Sequence, residues 1–253
     1  MEINENKEKE QKKEQEEQNE DDAPVEIPHE RDCLNLPRKP QIMCFIGKPE
    51  SGKSHLIKSM LYDYAKHKYF KFGITFVRTK FNHDYDYLPD KYVYEDFDID
   101  KLKKHITKLR EWRKKNNKQV PPNFVIFDDL LGQIDWYDEF MTNWIASFRH
   151  TSTSILITAQ YLQSKGGIST VLRECTNLAF VFNTKFKNSL KGLYEAYGQL
   201  FDCYDDFVRH FQKVSKQRYH CMVYKADEEE IDYNYLDFVA PKDIPDYKLK
   251  YKI

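Results

Sequence analysis

The sequence predicts an α/β fold with a mostly parallel sheet and helices on both faces. Short, continuous apolar runs alternate along the chain with segments of helical periodicity, which is typical of buried strands joined by helices. Several of these runs end in polar residues, and the carboxyl ends of parallel strands meet at one sheet edge, where ligands bind. With 253 residues, of which 40% are hydrophobic, the chain is long enough for one such domain.

Strands are predicted wherever a short apolar or β-branched run is bounded by polar or turn residues. Residues 80–97 are rich in aromatic side chains and are predicted to be irregular apart from one short strand. In chain order, the predicted strands are Ile42–Ile46, Gly73–Thr79, a short piece near Tyr92–Tyr94, Phe124–Phe127, Ser154–Thr158, Leu178–Phe182 and Tyr219–Tyr224.

Helices are predicted where apolar residues recur at helical spacing. The clearest case is a helix that Asp100 would cap and that runs to about Lys115, with Leu102, Ile106 and Leu109 on its apolar side. The other helices are expected at about Lys53–Lys66, Trp136–Phe148, Ser169–Glu174, Ser189–Tyr197 and Phe201–Val214.

Charge is distributed unevenly along the chain. Residues 1–32 carry 13 acidic and 5 basic side chains, a net of −8, whereas the whole chain has a net charge of −1. Such a segment buries too little apolar surface to offset its chain entropy. We therefore predict a disordered charged tail over 1–32, a folded domain over 33–230 and a C-terminal extension over 231–253. The mildly basic body suits a nucleic-acid partner.

Cysteine usage and hydropathy indicate an intracellular protein. The five cysteines are odd in number and form no CxxC motif, which favours a reducing compartment. No run of 18 apolar residues occurs, and the acidic N-terminus lacks the apolar core of a secretory signal. We expect a protein that is not secreted and has no membrane partner.

A glycine-rich motif follows the first predicted strand and opens the first predicted helix. Residues 47–54 match GxxxxGK[ST], the phosphate-binding P-loop, at every fixed position. Gly47 and Gly52 let backbone N–H groups wrap a phosphate, and the helix N-terminus adds positive potential. Lys53 is expected to reach the β and γ phosphates of ATP, and the Ser54 hydroxyl to bind Mg²⁺. The predicted nucleotide-binding residues are Gly47, Lys48, Pro49, Glu50, Ser51, Gly52, Lys53, Ser54 and His55.

Two adjacent acids end the third main strand, Phe124–Phe127. Buried charges need compensation, and a metal ion supplies it. In P-loop enzymes the first acid supports Mg²⁺, so Asp128 is the predicted metal residue. The second acid, Asp129, is the predicted general base for the attacking water. The alternative is a strand that merely ends in a polar turn, and the upstream P-loop makes it the weaker interpretation.

A glutamine follows the next apolar strand, Ser154–Thr158. In a parallel sheet this places Gln160 beside the two acids, where it can orient water or sense the γ-phosphate. The alternative is a surface glutamine with no role.

Taken together, these motifs resemble the FtsK/HerA superfamily of P-loop motors. Within it, the chain is similar to the genome-packaging ATPases of poxviruses and other large DNA viruses, virophages and Polinton-type elements. The resemblance covers about residues 40–225. It is carried by Gly47–Ser54, Phe124–Asp129, Phe148–His150, Ile157–Gln160, Leu172–Glu174, Asn177–Phe182, Tyr194–Gly198 and Tyr219–Tyr224.

The resemblance implies a RecA-like sheet and a motor that assembles as a homo-oligomeric ring. Its implied partners are double-stranded DNA and a capsid or portal-vertex protein, at the virus assembly site of a host cell or in the virion. Arg149 matches the position proposed in the family as an arginine finger, with Arg173 as the rival candidate, and a surface ion pair is the alternative for both. Many superfamily members have glutamate where Asp129 stands, although the viral branch also uses aspartate.

Other functions remain open on the sequence. A P-loop ATPase of DNA segregation or a helicase-like translocase fits the same motifs. A small-molecule kinase is disfavoured because no basic lid is evident, and a nucleotide-dependent scaffold is disfavoured because Lys53, Asp128 and Asp129 are intact.

Two basic segments are candidates for contact with DNA. The predicted helix ending near Lys115 carries many lysines and arginines, but a solvated helix face is the favoured interpretation. The loop Ser164–Gly167 is the second candidate.

Overall fold

An eight-stranded sheet runs through the part of the chain that the structure describes. The computed structural model describes residues 38–130, 132–162, 168–227, 235–240 and 242–251. The strands are β1 Ile42–Ile46, β2 Phe72–Val77, β3 Val93–Glu95, β4 Asn123–Asp128, β5 Thr153–Ala159, β6 Leu178–Phe182, β7 His220–Lys225 and β8 Tyr235–Val239.

The sheet is mostly parallel, as predicted. Its order is β3-β2-β4-β5-β1-β6-β7-β8. All pairs from β3 to β6 are parallel, β7 is antiparallel to β6, and β8 is antiparallel to β7. The carboxyl ends of six strands therefore lie at one edge of the sheet. Because β7 runs the other way, its beginning lies at that same edge.

Helices cover both faces of the sheet. The helices are α1 Lys53–Lys66, α2 Ile99–Lys115, α3 Glu139–Ser147, α4 Thr170–Cys175, α5 Lys187–Tyr197 and α6 Tyr204–Val214.

Alternate strand residues face opposite helix layers. On one face, Leu56 and Met60 of α1 belong to the same buried cluster as Phe124. On the other face, the ring of Trp144 in α3 contacts that of Phe127, with centroids 6.1 Å apart. The central strands are buried along their whole length, which explains why they read as unbroken apolar runs.

Among the helix starts that differ from the sequence prediction, two are explained by a capping side chain. α2 begins at Ile99 because Asp98, not Asp100, accepts the free N–H groups of the first turn, at 3.0 Å from each nitrogen. α3 begins later than the predicted Trp136, because Asp138 caps it. In both places the sequence offers competing start signals, and the side chain that reaches the first-turn N–H groups decides between them.

The sheet extends further along the chain than the apolar pattern predicts. The sequence predicts no strand after β7, whereas the structure places β8 at Tyr235–Val239 against it. The division into a domain over 33–230 and an extension over 231–253 stays a prediction. The predicted tail over 1–32 lies outside the described residues.

The segment near the C-terminus packs against the region that follows β2. The Tyr247 hydroxyl donates to the Lys58 carbonyl of α1 at 2.9 Å. The Leu249 N–H donates to the Tyr87 carbonyl at 2.8 Å. These contacts hold the irregular stretch after β2 against α1, and that stretch lines the site described next.

Candidate nucleotide site

Two glycines shape the loop between β1 and α1. The Gly47 N–H donates to the carbonyl of Ala159 at 3.0 Å, which ties the start of the loop to the end of β5. A Cβ at Gly47 would lie 2.7 Å from both the Phe182 Cβ and the Ser51 Oγ, so no side chain fits there. Gly52 has a φ of 105° immediately before α1, a left-handed conformation that favours glycine. The backbone path therefore requires both glycines of the P-loop motif.

Positive charge and hydrogen-bond donors gather at the start of α1. The Lys53 Nζ donates to the carbonyl oxygens of Gly47 and Lys48 at 2.8 and 3.0 Å, which holds the ammonium group over the loop. The first turn of α1 contains no acidic residue, so the helix N-terminus keeps its positive potential. The Ser51 Oγ is buried and has no hydrogen-bond partner among the described residues. These groups fit the phosphates of a nucleotide.

Two aspartates form one hydrogen-bonded cluster with residues of β1–α1 and β5. The Oδ1 of Asp128 accepts from the Thr158 Oγ1 at 2.6 Å, and its Oδ2 accepts from the Ser54 Oγ at 3.4 Å. The same Thr158 hydroxyl accepts the N–H of Asp129 at 2.9 Å. The Gln160 Nε2 donates to the Asp129 Oδ1 at 2.9 Å. Ser54 and Asp128, the two predicted metal residues, thus contact each other. Gln160 is hydrogen-bonded to Asp129, the predicted base.

Most of these side chains line one cleft, whereas Ser51 and Thr158 lie outside its lining. The cleft has a volume of about 150 Å³ and lies at the carboxyl edge of β2, β4 and β5, next to the loop. The loop contributes Pro49 and Glu50, and α1 contributes its first two residues. His55, the last predicted nucleotide-binding residue, is exposed on the first turn of α1. The predicted residues in the cleft are Glu50, Pro49, Lys53, Ser54, Asp128, Asp129 and Gln160.

Burial shifts the pKa of the two central charges toward their neutral forms. Burial raises the pKa of Asp128, although the Thr158 hydroxyl and then Tyr85 and Lys53 act to lower it. Burial also lowers the pKa of Lys53, while Asp128 and Asp129 act to raise it. The cleft is therefore a place where carboxylates are poorly solvated, and a divalent cation bound there would offset their charge. The donor set of hydroxyl and carboxylate oxygens fits Mg²⁺.

The irregular stretch after β2 contributes side chains that the sequence motifs did not reveal. It closes the cleft on the side of Asp128, whose carbonyl accepts the Arg78 N–H at 3.2 Å. Asp84 faces Asp128, and both burial and that neighbour raise the Asp84 pKa. No motif marks this segment, and only its position after a strand of the parallel sheet could have indicated it. The additional lining residues are Val77, Arg78, Thr79, Asn82, Asp84 and Tyr85.

The two arginine-finger candidates lie at the opposite edge of the sheet. Arg149 is exposed in the short 3₁₀ helix Phe148–Thr151, which precedes β5. Arg173 lies in α4 ahead of β6, where its Nη2 donates to the Thr170 Oγ1 at 2.9 Å. A seven-residue strand spans about 20 Å, so neither arginine reaches the cleft of its own chain. Their role at a neighbouring subunit stays a prediction.

The two basic segments differ in what the structure shows. α2 keeps most of its lysines and arginines exposed, and Lys101 pairs with Asp98 at 3.1 Å. This fits a solvated face and leaves contact with DNA as a prediction. The loop Ser164–Gly167 lies outside the described residues.

Comparison with known families supplies the assignment. Residues 29–178 match the family described as poxvirus A32 protein. The chain belongs to this family. Its membership confirms the resemblance to poxvirus packaging ATPases that the motifs indicated.

Solved structures confirm the P-loop NTPase fold of this A32 family member. The genome packaging NTPase B204 of Sulfolobus turreted icosahedral virus 2, with AMP, has a TM-score of 0.56 at 15% identity, covering 81% of this chain and 98% of that one. B204 of Sulfolobus turreted icosahedral virus gives 0.53 at 17% identity, covering 76% and 96%. EssC (ATPases 2 and 3) of Geobacillus thermodenitrificans gives 0.53 at 14% identity, covering 81% and 41%.

No curated protein sequence matches the chain. Within the described residues, no helix combines the length and the apolar character needed to cross a membrane.

Because the charge of Asp128 is buried, we predict that its removal raises the free energy of unfolding. Its raised pKa means that the ionised form opposes folding at any pH above that pKa. Asp128→Asn keeps an acceptor for Thr158, so we expect a higher Tm at pH 7 without nucleotide, by about 2–4 °C for each kcal/mol gained. The gain should shrink as the pH falls through the raised pKa, because the wild-type carboxyl then becomes neutral.

Thermal unfolding followed by circular dichroism at pH 7 and at acidic pH measures this difference. Asp63→Asn is the matched control, because Asp63 is an exposed acid of α1 whose side chain pairs with Lys66 at the surface. A Tm for Asp128→Asn that falls at pH 7 would contradict the account of Asp128.

From the position of Arg78 we predict that its side chain makes the site bind nucleotides with a γ-phosphate more tightly than those without one. Arg78 follows β2 beside Asp128, at the end of the cleft that holds the predicted base. We expect Arg78→Ala to weaken binding of ATPγS about 10–100-fold, because a charge-assisted hydrogen bond contributes roughly 1.5–3 kcal/mol. Binding of ADP should change far less.

Fluorescence titration with labelled ATPγS and ADP on dilute protein tests Arg78. Arg149→Ala is the control, since that arginine lies at the other sheet edge and should leave both affinities unchanged in isolated subunits. Equal losses for ATPγS and ADP in Arg78→Ala would exclude a contact with the γ-phosphate.

Proposed function

We propose that this chain hydrolyses ATP with Mg²⁺ and uses the energy to move double-stranded DNA into a viral or virus-like capsid. The observation that carries the proposal is the meeting of Lys53, Ser54, Asp128, Asp129 and Gln160 in one cleft. Membership of the poxvirus A32 family supports the packaging role. The likeness of the fold to B204, which is described as a genome packaging NTPase, supports it as well.

The P-loop and α1 bind the triphosphate in this proposal. The backbone N–H groups around Gly52 and the helix N-terminus face the phosphate oxygens. Lys53 exchanges its hydrogen bonds to loop carbonyls for bonds to the β and γ phosphates. Ser54 and Asp128 would hold Mg²⁺, which supplies positive charge to the phosphates when bound.

Asp129 and Gln160 act on the water that attacks the γ-phosphate. Asp129 accepts a proton from the attacking water, which forms its bond to the γ-phosphorus as the bond to the leaving ADP oxygen breaks. Gln160 fixes the carboxylate of Asp129 through its hydrogen bond of 2.9 Å. Thr158 ties Asp128 and Asp129 together, so that the two acids keep a fixed spacing.

A ring would complete the site in trans. The cleft contains Arg78 from its own chain, whereas Arg149 and Arg173 lie at the other edge of the sheet. In a homo-oligomeric ring, one of these two arginines would reach the cleft of the next subunit and stabilise the charge of the transition state. The motor would act at the virus assembly site or virion, with DNA and a capsid or portal-vertex protein as partners.

The test is the rate of ATP hydrolysis with and without duplex DNA. We expect the wild type to hydrolyse ATP with Mg²⁺ and to be stimulated by DNA. Asp129→Asn should lower the rate about 10²–10⁴-fold, the usual contribution of a general base, while ATP still binds. Asp63→Asn, which changes an exposed acid of α1, should leave the rate unchanged.

Three outcomes would count against the proposal. Absence of DNA stimulation at every salt concentration would remove the translocase. Unchanged turnover in Asp129→Asn would remove Asp129 as the base. Turnover that requires an added nucleoside acceptor would instead favour a kinase.

A further inference from the structure

The position of the cleft in the sheet indicates how a bound nucleotide would be oriented. The acids and Gln160 follow β4 and β5, which lie on one side of β1 in the sheet. If these groups face the γ-phosphate, as the proposed function requires, the nucleoside end points the other way. On that other side of β1 lie β6 and β7.

Tyr219 stands at this second side of the loop. It directly precedes β7, and β7 is antiparallel to β6 with Cys221 opposite Phe182, so Tyr219 lies at the same sheet edge as the P-loop. A Cβ at Gly52 would lie 3.3 Å from the Tyr219 Cδ1, so the ring lies against the last glycine before α1. The side chain of Tyr219 is nevertheless 48% exposed.

An arginine supports the exposed ring. The guanidinium carbon of Arg218 lies 4.7 Å from the centroid of the Tyr219 ring, within the range of a cation–π contact. The pair thus presents an aromatic and cationic surface beside the loop.

The backbone at Tyr219 is unusual for an aromatic residue. Its φ of 69° lies in the left-handed region, which bulky side chains rarely adopt. The His220 N–H donates to the Gln217 carbonyl at 3.2 Å and closes the turn. Conformations of this kind persist where the surrounding structure fixes them, and they are concentrated at ligand sites.

We propose that Tyr219, backed by Arg218, is the platform on which the nucleobase of the bound nucleotide stacks. The proposal rests on the proposed function, because that function fixes which end of the nucleotide lies at the acids. Stacking on an aromatic ring adds affinity for every base, since each base has a π face. The platform therefore favours nucleotides over a bare triphosphate and discriminates little between adenine and guanine.

Ligands with and without a base separate this role from support of the loop. Binding of ATPγS, GTPγS and inorganic tripolyphosphate is measured by calorimetry with Mg²⁺ for the full chain. The wild type should bind ATPγS about 10–100-fold more tightly than tripolyphosphate, the range that one stacked base contributes. GTPγS should lie within a few-fold of ATPγS.

Tyr219→Asn removes the ring but keeps a residue that tolerates the left-handed backbone. We expect its ATPγS affinity to fall to within a few-fold of its tripolyphosphate affinity, with the latter unchanged. Tyr219→Phe should restore the preference. Trp112→Ala is the matched control, because it removes an exposed aromatic ring near the end of α2, away from the loop.

A direct signal comes from Tyr219→Trp. Its indole fluorescence should be quenched by ATPγS and unaffected by tripolyphosphate. The platform is overturned if Tyr219→Asn keeps the full preference for ATPγS, or if it loses both ligands equally, which would mean that the ring only supports the loop. A wild type that binds none of the three ligands would instead overturn the proposed function itself.

Discussion

The burial of the Asp128 carboxylate is the constraint on which the rest of the site depends. A charge at the end of a fully buried strand is poorly solvated. The Asp128 carboxylate accepts from the Ser54 hydroxyl at 3.4 Å and, more closely, from the Thr158 hydroxyl at 2.6 Å. That hydroxyl also fixes the backbone of Asp129. Lys53 and Ser54 approach from the start of α1, which follows β1 and the loop. The fold therefore builds a cluster of charges that a divalent cation and a triphosphate together would balance.

Sheet topology explains why one edge carries all of this chemistry. Parallel strands deliver their carboxyl ends to that edge, and the reversal at β7 brings Arg218 and Tyr219 to it from the other direction. The same topology sends Arg149 and Arg173 to the far edge. This arrangement supports the proposed ring, in which the arginines of one subunit would meet the cleft of the next in a head-to-tail contact.

The sequence allowed prediction of those parts of the site that local patterns encode. Gly47–Ser54 is recognisable because the loop requires fixed residue types at fixed spacing, and strand ends are recognisable because buried strands are unbroken apolar runs. The cap at Asp98 was missed because Asp100 offers the same chemistry two residues later. Arg78 and Tyr219 were missed because no motif marks either of them. Arg78 reaches the cleft through the pairing of the end of β2 with Asp128, and Tyr219 through a strand reversal.

The most direct test of the account is electron paramagnetic resonance of Mn²⁺ in place of Mg²⁺, with ATPγS carrying ¹⁷O at the γ-phosphate. If Asp128 holds the cation, Mn²⁺ binds together with the nucleotide, ¹⁷O broadens its lines, and Asp128→Ala loses this bound Mn²⁺. Mn²⁺ and ATPγS that bind Asp128→Ala as tightly as the wild type, with the same broadening, would contradict it.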